Sequence, residues 1–471
     1  MTARQMRLGL SIRGHGYHPA AWRHPDVPAD GTLHVEHYVR STQIAERGKL
    51  DMIFFADGAG IRQGDNPRGA LSRTGRDMLE LEPTMLLPAL AMVSSHVGLI
   101  TTASTTYNEP YNLARRFATL DLISNGRAGW NVVASWSEHE AQNFGLETTL
   151  DYDTRYARSA EFVEVVKGLW DGWEDGAMLF DKASGRYFDE AKMHVLNHNG
   201  RFFKVRGPLT VAGMPQGHPV IVQAGASEQG RELGAATADV IYAIHNEIVR
   251  AQNYYNDVKG RMAKYGREPD DLKIMPAFCP VVGRTRAEAQ SKYDELQALI
   301  DPLAGLGSIY GSFGDLSGYP LDAPVPDDAL GSQELRSVSA QLMEWVRKEK
   351  PTIRELYERS GITGTARIGT PSDIADVMQE WFEAAACDGF NVTPATLPGG
   401  GEDFVEMVVP DSRLPSFSYR TESIGEQGDF REHGCEALDQ RAQPLVRHRG
   451  DEIVQHAPLT EQRMGATFGG I

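Results

Sequence analysis

The stretch PVIVQAGASEQGRELGAATADVIYA, residues 219–243, holds the pattern on which the fold turns. Residues 219–223 are apolar and β-branched, Gly225, Ala226 and Ser227 break the run, SEQGRELGAATA reads as a helix, and Val240–Ala243 is apolar again. Two buried strands joined through a helix make a parallel pair, because parallel strands need a crossover and antiparallel ones do not. Outward from this unit the same alternation recurs. Apolar runs at 6–12, 52–56, 97–102, 129–134, Lys273–Val282 and 389–393 bring the total to eight, separated by amphipathic stretches such as LHVEHYVRSTQIAERGK and TPSDIADVMQEWFEAAA. Eight near-continuous hydrophobic strands alternating with helices favour an α/β fold of the closed (β/α)8 TIM-barrel type over a doubly wound open sheet. In such a barrel the chemistry belongs just past the C-terminal ends of the strands.

Two regions depart from the alternation. Residues 178–218 read as a turn-rich insertion, and residues 300–368 as a glycine-rich segment followed by helices; loops of this length serve as lids or binding elements. The expected organisation is one barrel domain over 1–410 containing both insertions, then a polar C-terminal extension over 411–471.

Composition narrows the function classes. The chain has 471 residues, 41% hydrophobic and 24% charged, and a formal net charge of −17, which disfavours a nucleic acid or an anionic membrane as partner. Cys279, Cys387 and Cys435 lie far apart and form no disulfide framework, as expected in a reducing compartment. The N-terminal MTARQMRLGLSIRGHG has no apolar core of signal-peptide length, and no apolar run is long enough to span a bilayer, so a cytoplasmic protein is expected.

Polar residues at strand ends are the candidates for chemistry. Asp57 ends MIFFADG and reads as a turn aspartate or a ligand group. Thr101, Thr102, Ser104 and Thr105 end the third run, where threonine is also a good strand former. In the fourth run, GWNVVASW, Asn131 points into the barrel mouth if Val132 packs outward; a buried asparagine needs partners, structural or bound. After the fifth run Ser227 is the expected N-cap of a helix, a place where free N–H groups and a hydroxyl receive phosphate, with Arg231 one turn further as added charge; an ordinary loop and cap fits the same residues. In YHPAAWRHP, His18 and Trp22 either line a pocket or pack a loop. No metal site is expected, because His194 and His198 stand four apart without the glutamate of HExxH and in a strand-and-turn context. There is no P-loop, no GxGxxG after a strand and no GxSxG elbow.

In order along the chain, FFADG, TTASTTYNEPYNLARRFATLDLISNGRAGWNVVASW, QNFG, DTRYARSAEFVEVVKGLWDGW, DKASGRYFDE, FFKVRGPL and PQGHPVIVQAGASEQGRELGA resemble the flavin-dependent monooxygenases of the bacterial luciferase-like superfamily. The branch they resemble holds nitrilotriacetate monooxygenase component A and the dibenzothiophene-sulfone monooxygenases. The resemblance is dense over roughly the first 250 residues and returns in KPTIRELYERSG and DGFNVTPATLPGG. It implies a TIM barrel that takes reduced FMN (FMNH2) from a separate NAD(P)H:FMN reductase. It also implies that reduced FMN reacts with O2 to a flavin C4a-hydroperoxide and oxygenates a small organic substrate. Assembly as a homo-oligomer is expected with it. Carried over by position, Asp57, Thr102 or Ser104, Asn131 and Tyr156 fall around the flavin, with Ala226 and Ser227 at its phosphate. Tyr152 stands where relatives carry histidine, and the chain continues past GDFREHG where they end. His18 is the candidate proton donor or substrate contact, with a packing role as the alternative. Two other functions fit this fold: a deazaflavin-dependent reductase, and a barrel that binds flavin without catalysis.

Overall fold

The computed structural model describes residues 4–61, 64–75, 78–330, 337–362 and 364–410; the expected extension lies outside them. In chain order the strands are β1 Arg7–Ile12, β2 Met52–Phe55, β3 Gly98–Ser104, β4 Ala128–Val133, β5 Met178–Asp181, β6 Arg186–Phe188, β7 His198–Asn199, β8 Lys204–Val205, β9 Val220–Gln223, β10 Val240–Ala243, β11 Lys273–Val282, β12 Ala366–Gly369 and β13 Gly389–Val392. Neighbours run β10-β9-β4-β3-β2-β1-β13-β11, and a β10–β11 pairing closes the ring, so the eight expected runs form one closed parallel barrel. β12 pairs with Cys279–Val282, the upper end of β11, and prolongs the wall above the rim.

Strand alternation divides the buried residues into two sets. Met52, Phe54, Ile100, Val220, Val222, Val240 and Met275 form one apolar cluster filling the barrel. Their neighbours Ile53, Leu99, Trp130, Val132, Ile221 and Phe390 fall in other clusters, several of them with the helices Val35–Arg47, Pro110–Ser124, Tyr152–Trp170 and Pro371–Glu383. Each large side chain so buried contributes about 1.5–3 kcal/mol before the ordering entropy is subtracted. The interior leaves no room at Gly9: a Cβ there would sit 2.9 Å from Asn391 Oδ1 and 2.8 Å from Met52 Cε.

Aspartates fasten the N-terminal face of the barrel. Asp51, Asp239 and Asp388 each immediately precede a strand and accept an N–H from the strand beside it: Leu8 N at 2.7 Å, Ile221 N at 2.7 Å and Ile274 N at 2.9 Å. Asp51 also pairs with Arg7 at 2.9 Å; burial nevertheless raises its pKa against that pull. Asp388 pairs with Lys259 at 3.0 Å and accepts from Tyr255 Oη at 2.9 Å, both ion-pair side chains being under a tenth exposed.

The first insertion contains the hairpins β5–β6 and β7–β8, the latter held by Glu161, whose carboxylate accepts the N–H groups of Arg201, Phe202 and Phe203. The second contains the helices Pro302–Phe313 and Ile353–Ser360, which share a core including Ile309, Phe313, Leu356 and Tyr357. No described helix is long and apolar enough to cross a membrane.

Candidate active site at the barrel mouth

Asn131 and Thr102 occupy paired positions of β4 and β3. Asn131 Nδ2 donates to Thr102 Oγ1 at 2.8 Å, and Thr102 in turn donates to the Phe55 carbonyl at 2.9 Å. Asn131 is 3% exposed, yet its Oδ1 has no hydrogen-bond partner. Two residues above Thr102, Ser104 Oγ accepts from Ser135 at 2.9 Å and from Thr106 N at 3.1 Å, which shapes the turn after β3. Asp57 is half-buried just past β2. The loop it opens is tied to the segment after β4, because Ala59 N donates to the fully buried Glu140 at 3.1 Å and Asn143 donates to Ala59 O at 3.0 Å.

Just past β9, the strand next to β4, Ser227 caps the helix Glu228–Thr237, its Oγ accepting from Gly230 N at 3.2 Å. Ser227 Oγ also lies 3.3 Å from Tyr156 Oη. Burial raises the Tyr156 pKa and the Ser227 hydroxyl opposes the rise. Gly225 is required here, since a Cβ would come within 2.6 Å of Gly230 Cα. The carbonyls of Gly225 and Ala226 are held by Tyr254 Oη at 3.0 Å and Arg231 Nε at 2.9 Å. Arg231 does not offer the free charge read from the sequence, because its guanidinium pairs with Asp257 at 2.8 Å. Tyr152 and Tyr156 pack at 4.8 Å between centroids with their rings tilted by 47°, one turn apart on the helix Tyr152–Trp170.

His18 is 1% exposed. Its Nδ1 accepts from Ala20 N at 3.2 Å and its Nε2 meets Gln297 Oε1 at 2.9 Å, an arrangement that favours the Nε2–H tautomer. A ring engaged on both sides delivers a proton only by releasing the glutamine, so its catalytic role stays a proposal. His194 meets Glu174 at 2.6 Å and His198 meets Glu161 at 3.1 Å, and among the described residues no three metal-ligating side chains converge.

The structure adds residues the sequence reading did not single out. Tyr107 Oη is buried without a partner, its ring stacked on Phe144 at 4.5 Å, and burial followed by the Glu140 charge raises its pKa. Asn391, on the inner face of β13, is fully buried and neither amide atom has a partner. His245, just past β10, rests on Tyr254 at 5.0 Å with an unpartnered Nε2. Leaving such groups unsatisfied costs about 1–3 kcal/mol each. Several of them at one mouth are the mark of a site shaped for a polar, partly aromatic ligand.

The model of the family described as luciferase-like monooxygenase matches residues 15–388. The chain belongs to this family. Among its relatives, N-acetyl-S-(2-succino)cysteine monooxygenase of Bacillus subtilis (strain 168) is 48% identical over 412 residues, 86% of this chain and 92% of that protein. Nitrilotriacetate monooxygenase component A of Aminobacter aminovorans is 46% identical over 434 residues, 90% of this chain and 95% of that protein. The crystal structure of a long-chain alkane monooxygenase superposes with a TM-score of 0.79 at 31% identity, covering 91% of this chain and 98% of that one. These matches extend over most of this chain and nearly the full length of each relative.

A reduced flavin mononucleotide fits the residues present. Ser227 and the first-turn N–H groups of its helix suit a phosphate, and Asn131 Oδ1 lacks the donor that a flavin ring N–H would supply.

Proposed function

We propose that the chain is the oxygenase component of a two-component system that takes reduced FMN from a separate NAD(P)H:FMN reductase and transfers one oxygen atom of O2 to a small organic substrate. The observation that carries this reading is the buried Oδ1 of Asn131, unpartnered in a mouth that also holds the Ser227 cap, in a chain of the luciferase-like family. Reduced FMN, when bound, supplies the two electrons with which O2 gives one oxygen to the substrate and the other to water. The protein binds, orients and keeps water out. Ala226 and Ser227 hold the phosphate with Tyr156 beside them; Asn131 and Thr102 hold the ring; Asp57, Ser104 and Tyr152 line the mouth around it. The second insertion, joined to the loop after β2 by Arg73 and Asp301 at 3.0 Å, supplies a dry wall. The cytoplasm is the location we assign, with Cys279 and Cys387 as buried cysteines, and a homo-oligomer is the assembly.

The purified chain is expected to leave NADH unoxidised on its own and to consume O2, dependent on substrate, once a flavin reductase and FMN are added. NADH oxidation by the chain alone would sink the two-component reading. Oxygen uptake indifferent to substrate would favour a barrel that binds flavin without oxygenating.

Relatives named for N-acetyl-S-(2-succino)cysteine and nitrilotriacetate support a substrate that carries carboxylates. The phosphate assignment is tested by Ser227→Ala, expected to weaken FMN binding by about 1–2 kcal/mol and leave riboflavin almost unaffected. Equal losses for the two flavins would reduce Ser227 to a helix cap.

A further inference from the structure

Above the rim stands the guanidinium of Arg367, held by backbone carbonyls alone among the described residues. Arg367 lies on β12, the strand that carries the wall above the rim, and its half-buried guanidinium donates only to backbone: Gly364 O at 3.1 Å, Ala366 O at 2.9 Å and Asn246 O at 3.2 Å. No carboxylate among the described residues pairs with it, and burial lowers its pKa with only the Cys279 thiol opposing. A guanidinium has five donors, so Nε–H and one Nη2–H remain, the side-on edge that takes a carboxylate in two parallel bonds.

One residue it reaches is also unsatisfied. Asn246 Oδ1 is buried without a partner, and no hydrogen bond holds its amide, which can turn to present Nδ2. The nearest acidic residue in sequence, Glu247, is already paired with Arg250 at 3.0 Å. Both segments stand at C-terminal strand ends: residues 245–246 follow β10, the strand next to β9 and its Ser227 cap.

We infer that Arg367 and Asn246 form an anion subsite that receives a carboxylate of the substrate and so determines specificity. The inference rests on the oxygenase reading for the word substrate, although the binding itself needs no turnover. The same chemistry would accept the flavin phosphate, and the experiment separates the two sources.

Calorimetry of nitrilotriacetate and of N-acetyl-S-(2-succino)cysteine is compared for the wild-type chain, Asn246→Asp and Arg367→Gln, with FMN and riboflavin titrated in parallel. Asn246→Asp keeps shape and backbone while placing a carboxylate beside Arg367, which fills the subsite from within; it decides the matter should Arg367→Gln fail to fold. At least one of the two carboxylates is expected to bind the wild type and to lose about tenfold in affinity in the variant, the worth of one charge-assisted pair. The FMN-to-riboflavin ratio is expected to stay put. Binding of neither probe to the wild type, or equal binding to wild type and variant, overturns the inference. A fall in the FMN-to-riboflavin ratio also overturns it, reassigning the subsite to the phosphate. Failure of reductase-coupled oxygen uptake with carboxylate binding intact would instead count against the oxygenase reading alone.

Discussion

Asn131→Leu is expected to bind reduced FMN about tenfold to a hundredfold more weakly than the wild type, while the flavin-free protein melts no lower. The two halves have one cause. In the flavin-free chain the Asn131 carbonyl oxygen is buried without a partner, so an apolar group of similar shape removes a desolvation cost. The only protein bond lost is the one from Nδ2 to Thr102 Oγ1, and Thr102 keeps its bond to Phe55 O. With flavin present the balance reverses, because a ring N–H would then be buried against leucine. The measurement is a flavin titration beside a melting curve of the flavin-free variant. An unstable variant with intact flavin affinity would make Asn131 a core residue and remove it from the site.

The second large effect lies at the opposite face. Asp388→Ala is expected to cost about 3–5 kcal/mol, because Lys259 would be left as a buried charge without its partner and Ile274 N without its acceptor. Asp388→Asn should fall between, keeping an acceptor for the N–H while still stranding the ammonium. The check is the urea midpoint at unchanged slope, together with the FMN affinity of the folded protein, which should not move. Equal stability of the alanine variant and the wild type would mean that the pair is solvated.

The barrel was legible in the sequence because its strands are buried on both faces, so each of the eight reads as a short apolar run. The remaining strands were not, for the same reason inverted. β7 and β8 are two residues each and partly exposed, and β12 is four residues with only Gly369 fully buried, so no apolar run marks them. At the mouth, strand parity sufficed to turn Asn131 inward and N-cap chemistry to find Ser227, whereas the pairing of Asn131 with Thr102 came only with the strand register. Parity says nothing of a residue's vacant hydrogen bonds. Asn246 and Arg367 are 121 residues apart and meet only in three dimensions, and Arg231 looked free until Asp257 was placed next to it.

The aspartates of the N-terminal face act as a depth gauge for a mouth they never touch. A strand that slid by one residue would raise its far end by about 3.3 Å and turn its inward side chains outward. Asp51, Asp239 and Asp388 resist that slide between β2 and β1, between β10 and β9, and between β13 and β11. The height at which Ser227, above β9, stands relative to Asn246, above β10, is thus calibrated from the base of the barrel.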